Sequence, residues 1–71
     1  DPSYISWIRL NSERWLQLYS VDESEKNDET YASDVIRNVC GVLSRKDLKE
    51  NKDGQTKLTE HINEFMQAVG R

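Results

Sequence analysis

Seventy-one residues, 35% hydrophobic and 32% charged, make one small domain, and a chain this short buries a modest share of its surface. The net charge of −3 argues against a general binder of nucleic acid or anionic membrane, and the interrupted apolar runs are too short to span a bilayer. Cys40 is the only cysteine, so no intramolecular disulfide can reinforce the fold, and association with another chain is the support still open to it.

The lone cysteine and the lack of a signal-like segment lead us to expect a reducing, intracellular setting, cytoplasmic or nuclear. The chain opens at Asp1 rather than at a methionine, which suggests excision from something longer. Pro2, an acidic polar stretch over 22–29 and a Lys/Asn/Asp/Gly stretch over 49–55 divide it into three segments of helical length.

The first segment, about 3–20, contains strand-favouring residues near Trp15, yet its periodicity is helical. At 100° per residue Ser6, Arg9, Glu13, Gln17 and Ser20 fall into one polar stripe, which a period of two does not produce. Pro2 suits the first turn of such a helix. Tyr4, Ile5, Ile8, Trp15, Leu16 and Tyr19 form one apolar face; Trp7, Leu10, Leu18 and Val21 form a second beside it. Two neighbouring helices need less apolar arc than this.

The second segment, about 28–43, places Tyr31, Val35, Ile36, Val39, Val42 and Leu43 on one face, with Asp34, Arg37, Asn38 and Arg45 opposite. Asp28 and Glu29 sit where acids favour a helix start. Ser44 and Asp47 suggest a further short turn, near 44–50, carrying Leu48. The third segment, about 56–69, has a narrow stripe of Leu58, Ile62, Phe65, Met66 and Val69, with Gly70 as its stop. The expected fold is therefore all-α: a single domain of three main helices with a short extra turn.

Little in the sequence promises chemistry. A nucleophilic pair would need Cys40 and His61, but Cys40 follows Ile36 by four residues on an apolar edge, where cysteine is a small inert core residue. His61 with Glu60, Glu64 and Cys40 gives too few nitrogens and sulfurs for a zinc or di-metal centre. The twelve residues 49–60 carry Asn51, Asp53, Gly54 and Glu60 at the third, fifth, sixth and twelfth places of a loop, and so resemble an EF-hand calcium loop. Lys49 stands where that family's leading aspartate belongs and Thr56 where it has an aliphatic residue, so an ordinary Asn/Asp/Gly turn is the expectation.

Two binding surfaces remain. Residues 1–30 hold seven acids and three bases, whereas 31–71 hold six acids and seven bases. Arg37, Arg45, Lys46, Lys49, Lys52 and Lys57 would form the basic face of a small helical nucleic-acid-binding module, which is the alternative reading. The leading one is a non-enzymatic interaction module that docks a partner helix, or a second copy of itself as a homodimer, on the surplus apolar face of the first helix. Trp7, Leu10 and Leu18 would anchor that contact, with Arg14 and Val21 at its rim. We expect no catalytic residues, metal, cofactor, membrane contact or small-molecule substrate.

Overall fold

A computed structural model describes residues 2–24 and 26–70, apart from the side chain of Arg45. Its helices are α1 (Pro2–Leu10), α2 (Ser12–Tyr19), α3 (Asp28–Cys40), a 3-10 helix (Arg45–Lys49) and α4 (Lys52–Val69). The described residues contain no strand, so the fold is all-α, with the expected helical segments and the expected short turn after the second.

The expected first helix is in fact two, broken at Asn11. Asn11 turns its side chain back on α1, donating from Nδ2 to the Trp7 carbonyl at 2.8 Å, and its N–H lies 3.2 Å from the carbonyls of both Trp7 and Ile8. A continuous helix would commit the Ile8 carbonyl to the N–H four residues on. Here it instead accepts the Trp15 indole N–H at 2.9 Å and faces the Tyr31 hydroxyl, a longer contact of 3.5 Å. Trp15 is 1% exposed, and a buried donor left without an acceptor costs about 1–3 kcal/mol. The break gives that donor its acceptor and bends the chain between α1 and α2.

Each connection is closed by a specific turn. Ser20 adopts the left-handed conformation (φ 59°), which ends α2 and directs Val21 inward, where it is buried. Gly41 (φ 71°) ends α3 in a Schellman turn, with the Val42 N–H on the Arg37 carbonyl at 3.0 Å and the Gly41 N–H on that of Asn38 at 3.3 Å. α3 therefore stops at Cys40, three residues short of the expected boundary, and Leu43 is left exposed in the connection. Asn27 caps α3 through the Thr30 N–H, and Asn51 caps α4 through the Gly54 N–H, both at 2.8 Å.

That second cap starts α4 four residues earlier than its apolar stripe indicates, and it disposes of the calcium-loop resemblance. Asp53, Gly54 and Glu60 lie within one continuous helix and cannot wrap around an ion. Gly54 serves packing instead. A Cβ there would stand 3.2 Å from the Cys40 carbonyl and 3.1 Å from a Leu48 methyl, so a larger residue would make these neighbours give by a few tenths of an ångström.

The core beneath these turns is Trp7, Ile8, Trp15, Val21, Tyr31, Ala32, Val35 and Phe65, with Tyr4, Ile5, Tyr19 and Val39 packed against it. The acidic connection is held to α1 by Arg9, which bonds Asp28 at 2.7 Å and Glu23 at 3.2 Å, reaches the Lys26 carbonyl at 3.4 Å, and lies over the Tyr31 ring.

Two substitutions check this account. Trp15→Phe keeps most of the buried ring but removes the indole N–H, and should lower unfolding stability by about 1–3 kcal/mol in urea titrations. Ser20→Gly relieves the left-handed strain and should raise stability by up to about 1 kcal/mol.

Candidate interaction surface

The side chains proposed as one docking face do not form one. Trp7 is 8% exposed and Val21 is buried, so both belong to the core. Arg14 lies over the Trp15 ring at 4.7 Å and forms a two-pronged ion pair with Glu64 of α4, its Nη2 reaching Oε2 at 3.0 Å. Leu10 and Leu18 are indeed exposed, at 86% and 61%, but on different helices. Trp7 and Leu10 part company within α1 itself, and the break at Asn11 puts Leu18 on a separate helix.

Beneath the surface lies an aromatic cluster contributed by three helices. The Trp7 ring sits 5.8 Å from Trp15, 5.6 Å from Phe65 and 5.2 Å from His61, while Tyr4 meets Phe65 edge-on at 5.2 Å. His61 is buried among them, with Nε2 2.9 Å from the Tyr4 hydroxyl. Burial pushes its pKa below the ordinary 6.5, and the positive charge of Arg14 lowers it further, against the pull of Glu64. The imidazole packs as part of the core, with rings of Tyr4, Trp7 and Trp15 around it.

Above this cluster runs a shallow groove of about 390 Å³ between α1 and the last turn of α4, walled by Pro2, Ser3, Ser6, Leu10, Ala68 and Val69 and floored by the edge of Trp7. Ile62, Met66 and Val69 are all exposed, and their spacing of four and three residues aligns them along α4. No wall residue of the groove is charged. Sequence reasoning passed over this face because it assigned the α4 stripe wholly to the core, although only Phe65 and His61 are buried at its centre.

The basic residues are scattered. Arg37 pairs with Asp34, which also binds Lys26 at 2.9 Å; Lys26 first and Arg37 second hold the Asp34 carboxyl below its usual range. Arg37 and Lys46 share a polar hollow of about 610 Å³ with Glu29 and three hydroxyl side chains, Thr30, Ser33 and Ser44. Lys52 sits among Asp47, Glu50 and Asp53 in a second hollow, and Lys57 borders a third beside Glu60 and His61. Lys49 is exposed on the 3-10 helix, and the Arg45 side chain lies outside the described residues. Acids accompany the bases at every one of these hollows, so no continuous positive track appears among the described residues.

Cys40 is buried, and its thiol pKa is raised by that burial. Among the described residues no group of three or more His, Cys, Asp or Glu side chains is placed to hold a metal, and no helix is long and apolar enough to cross a membrane. No family model, curated protein or solved structure matches the chain.

The histidine makes stability depend on pH in a known direction. Because the folded-state pKa lies below the unfolded value of 6.5, the unfolded chain takes up the proton first. Stability should be complete above that value and decline as pH falls through it. Glu64, held below its usual range chiefly by Arg14, adds its own loss only at lower pH, in the carboxylate range. Urea midpoints between about pH 8 and pH 5 should fall for the natural protein and stay nearly flat for His61→Gln, which can still accept from Tyr4.

Proposed function

We propose that this chain is a non-enzymatic protein-interaction module whose contact surface is the uncharged face shared by α1 and the end of α4. One observation carries the reading. In a sequence of which 32% is charged, residues 2–8 and 65–70 contain no charged side chain at all, and the fold sets these two stretches side by side as the walls of an apolar groove. Interface cores are depleted of charge and enriched in aromatic residues and methionine. Here Trp7 lines the groove, while Leu10 and Val69 stand exposed beside it and Met66 is exposed elsewhere on α4. The aromatic cluster beneath keeps this floor rigid, so little ordering remains to oppose binding.

The ligand class that suits the face is another protein's apolar surface, a partner helix or a second copy. The dispersed basic residues, each with acids close by, give less support to nucleic-acid binding. Catalysis has no supporting arrangement of side chains around Cys40 or His61.

Substituting Leu10→Lys together with Val69→Lys tests the reading. Both residues close their helices, where a cation suits the helix dipole, so melting should shift by little more than about 0.5 kcal/mol in stability. Self-association or retention of a protein partner should weaken at least about tenfold. If the double variant matches the natural protein in both readouts, the face has no role. If binding is instead lost on Lys46→Glu with Lys49→Glu, the basic alternative takes its place.

A further inference from the structure

We infer that the hollow between α2, α3 and α4 binds a small zwitterion of the α-amino acid kind, its two charges met by Lys57 and Glu60 and its polar end by the ring of His61. The hollow holds about 300 Å³, the lower end of the range for small-molecule sites. It shares no lining residue with the apolar groove, so the inference stands apart from the interaction face.

The base of the hollow points to a ligand. His61 is 4% exposed, yet only one of its ring nitrogens is engaged: Nε2 lies 2.9 Å from the Tyr4 hydroxyl. Nδ1 has no hydrogen-bond partner among the described residues. It is not sealed in either, because every fully buried side-chain nitrogen or oxygen among those residues has a partner. A ring otherwise packed among Tyr4, Trp7 and Trp15 therefore presents one open polar atom, and the hollow that His61 lines is where it opens. Polar atoms this deep ordinarily find a partner.

Charge at the rim selects the ligand. Arg14 borders the hollow, but Glu64 holds its guanidinium, which lies over the Trp15 ring. Lys57 and Glu60 are different. Both border the hollow on α4, and neither forms an ion pair with a described residue. Residues three apart on a helix are close enough to pair with each other. Here they leave a cation and an anion open side by side. A ligand with one charge gains from one of them and is repelled by the other, whereas a ligand with both charges satisfies both. Asn38 adds an acceptor, since its Nδ2 is spent on the Asp34 carbonyl at 2.8 Å and its Oδ1 is left over. Nδ1 of His61 can serve either charge, donating or accepting according to the tautomer that Tyr4 selects. Val39 and the Tyr19 ring, stacked on Trp15, give an apolar wall for the ligand's side chain.

His61 is the only histidine, so its ring signals provide an unambiguous NMR readout. At about pH 7 free L-leucine carries both charges. Added to the full chain, it should move the His61 signals along a saturable curve, with a dissociation constant on the order of 1 mM. N-acetyl-L-leucine, which lacks the ammonium, and L-leucinamide, which lacks the carboxylate, should each bind at least about tenfold more weakly. Lys57 is exposed, so Lys57→Gln should leave folding intact. It should weaken L-leucine to a similar degree and leave L-leucinamide unaffected, and Glu60→Gln should do the same for N-acetyl-L-leucine in place of the amide. His61 signals that stay fixed up to about 50 mM L-leucine overturn the inference. So do derivatives that bind as tightly as L-leucine, or a Lys57→Gln variant that binds it as well as the natural protein does.

Discussion

The hydrogen bond from the Trp15 indole to the carbonyl of Ile8 sets the course of the whole chain. An indole N–H taken out of water needs an acceptor. The nearest one belongs to a backbone that would otherwise spend it within its own helix. The break at Asn11 satisfies the indole and redirects the chain between α1 and α2. Trp7 then lies against Trp15, and the pair forms a surface on which His61 and Phe65 of α4 can pack. Tyr31 of α3 faces the same carbonyl, so one oxygen is approached from three parts of the molecule.

The sequence revealed the helices where apolar spacing decided their structure. Tyr31, Val35 and Val39 mark the inner side of α3, and Leu58 and Phe65 that of α4, at the intervals a helix requires. Boundaries were harder, because they depend on caps and close approaches rather than on periodicity. Residues 52–55 have the composition of a turn, yet they are helical because Asn51 caps the helix and Gly54 fits against Cys40. The break at Asn11 leaves almost no periodic trace, since α1 and α2 taken separately are each amphipathic. Missing it joined Trp7, Leu10, Leu18 and Val21 into a single face, although only two of the four are exposed. The groove was obscured for a related reason: its walls come from opposite ends of the chain, and only packing shows that the two uncharged stretches meet.

Several charged side chains fasten the protein's own parts. Arg9 ties the acidic connection to α1, Arg14 ties α2 to α4, and Asp34 gathers Lys26 and Arg37. Most of these groups remain partly exposed, so each pair contributes only modestly to stability. Their larger effect is on where charge does not go. Arg9 and Arg14 are committed elsewhere, and the described walls of the groove between α1 and α4 carry no charge.

The bond between Tyr4 and His61 joins residues 57 positions apart, a long reach for a helical protein of this size. Ribosomes release a chain from its N-terminal side, so α4 emerges after every element it must cover. Until then Trp7 and Trp15 have no lid, and the hydrophobic cluster that defines the native state cannot assemble. Nascent chains carrying only the first three helices thus display uncovered indoles, the kind of surface that molecular chaperones grip.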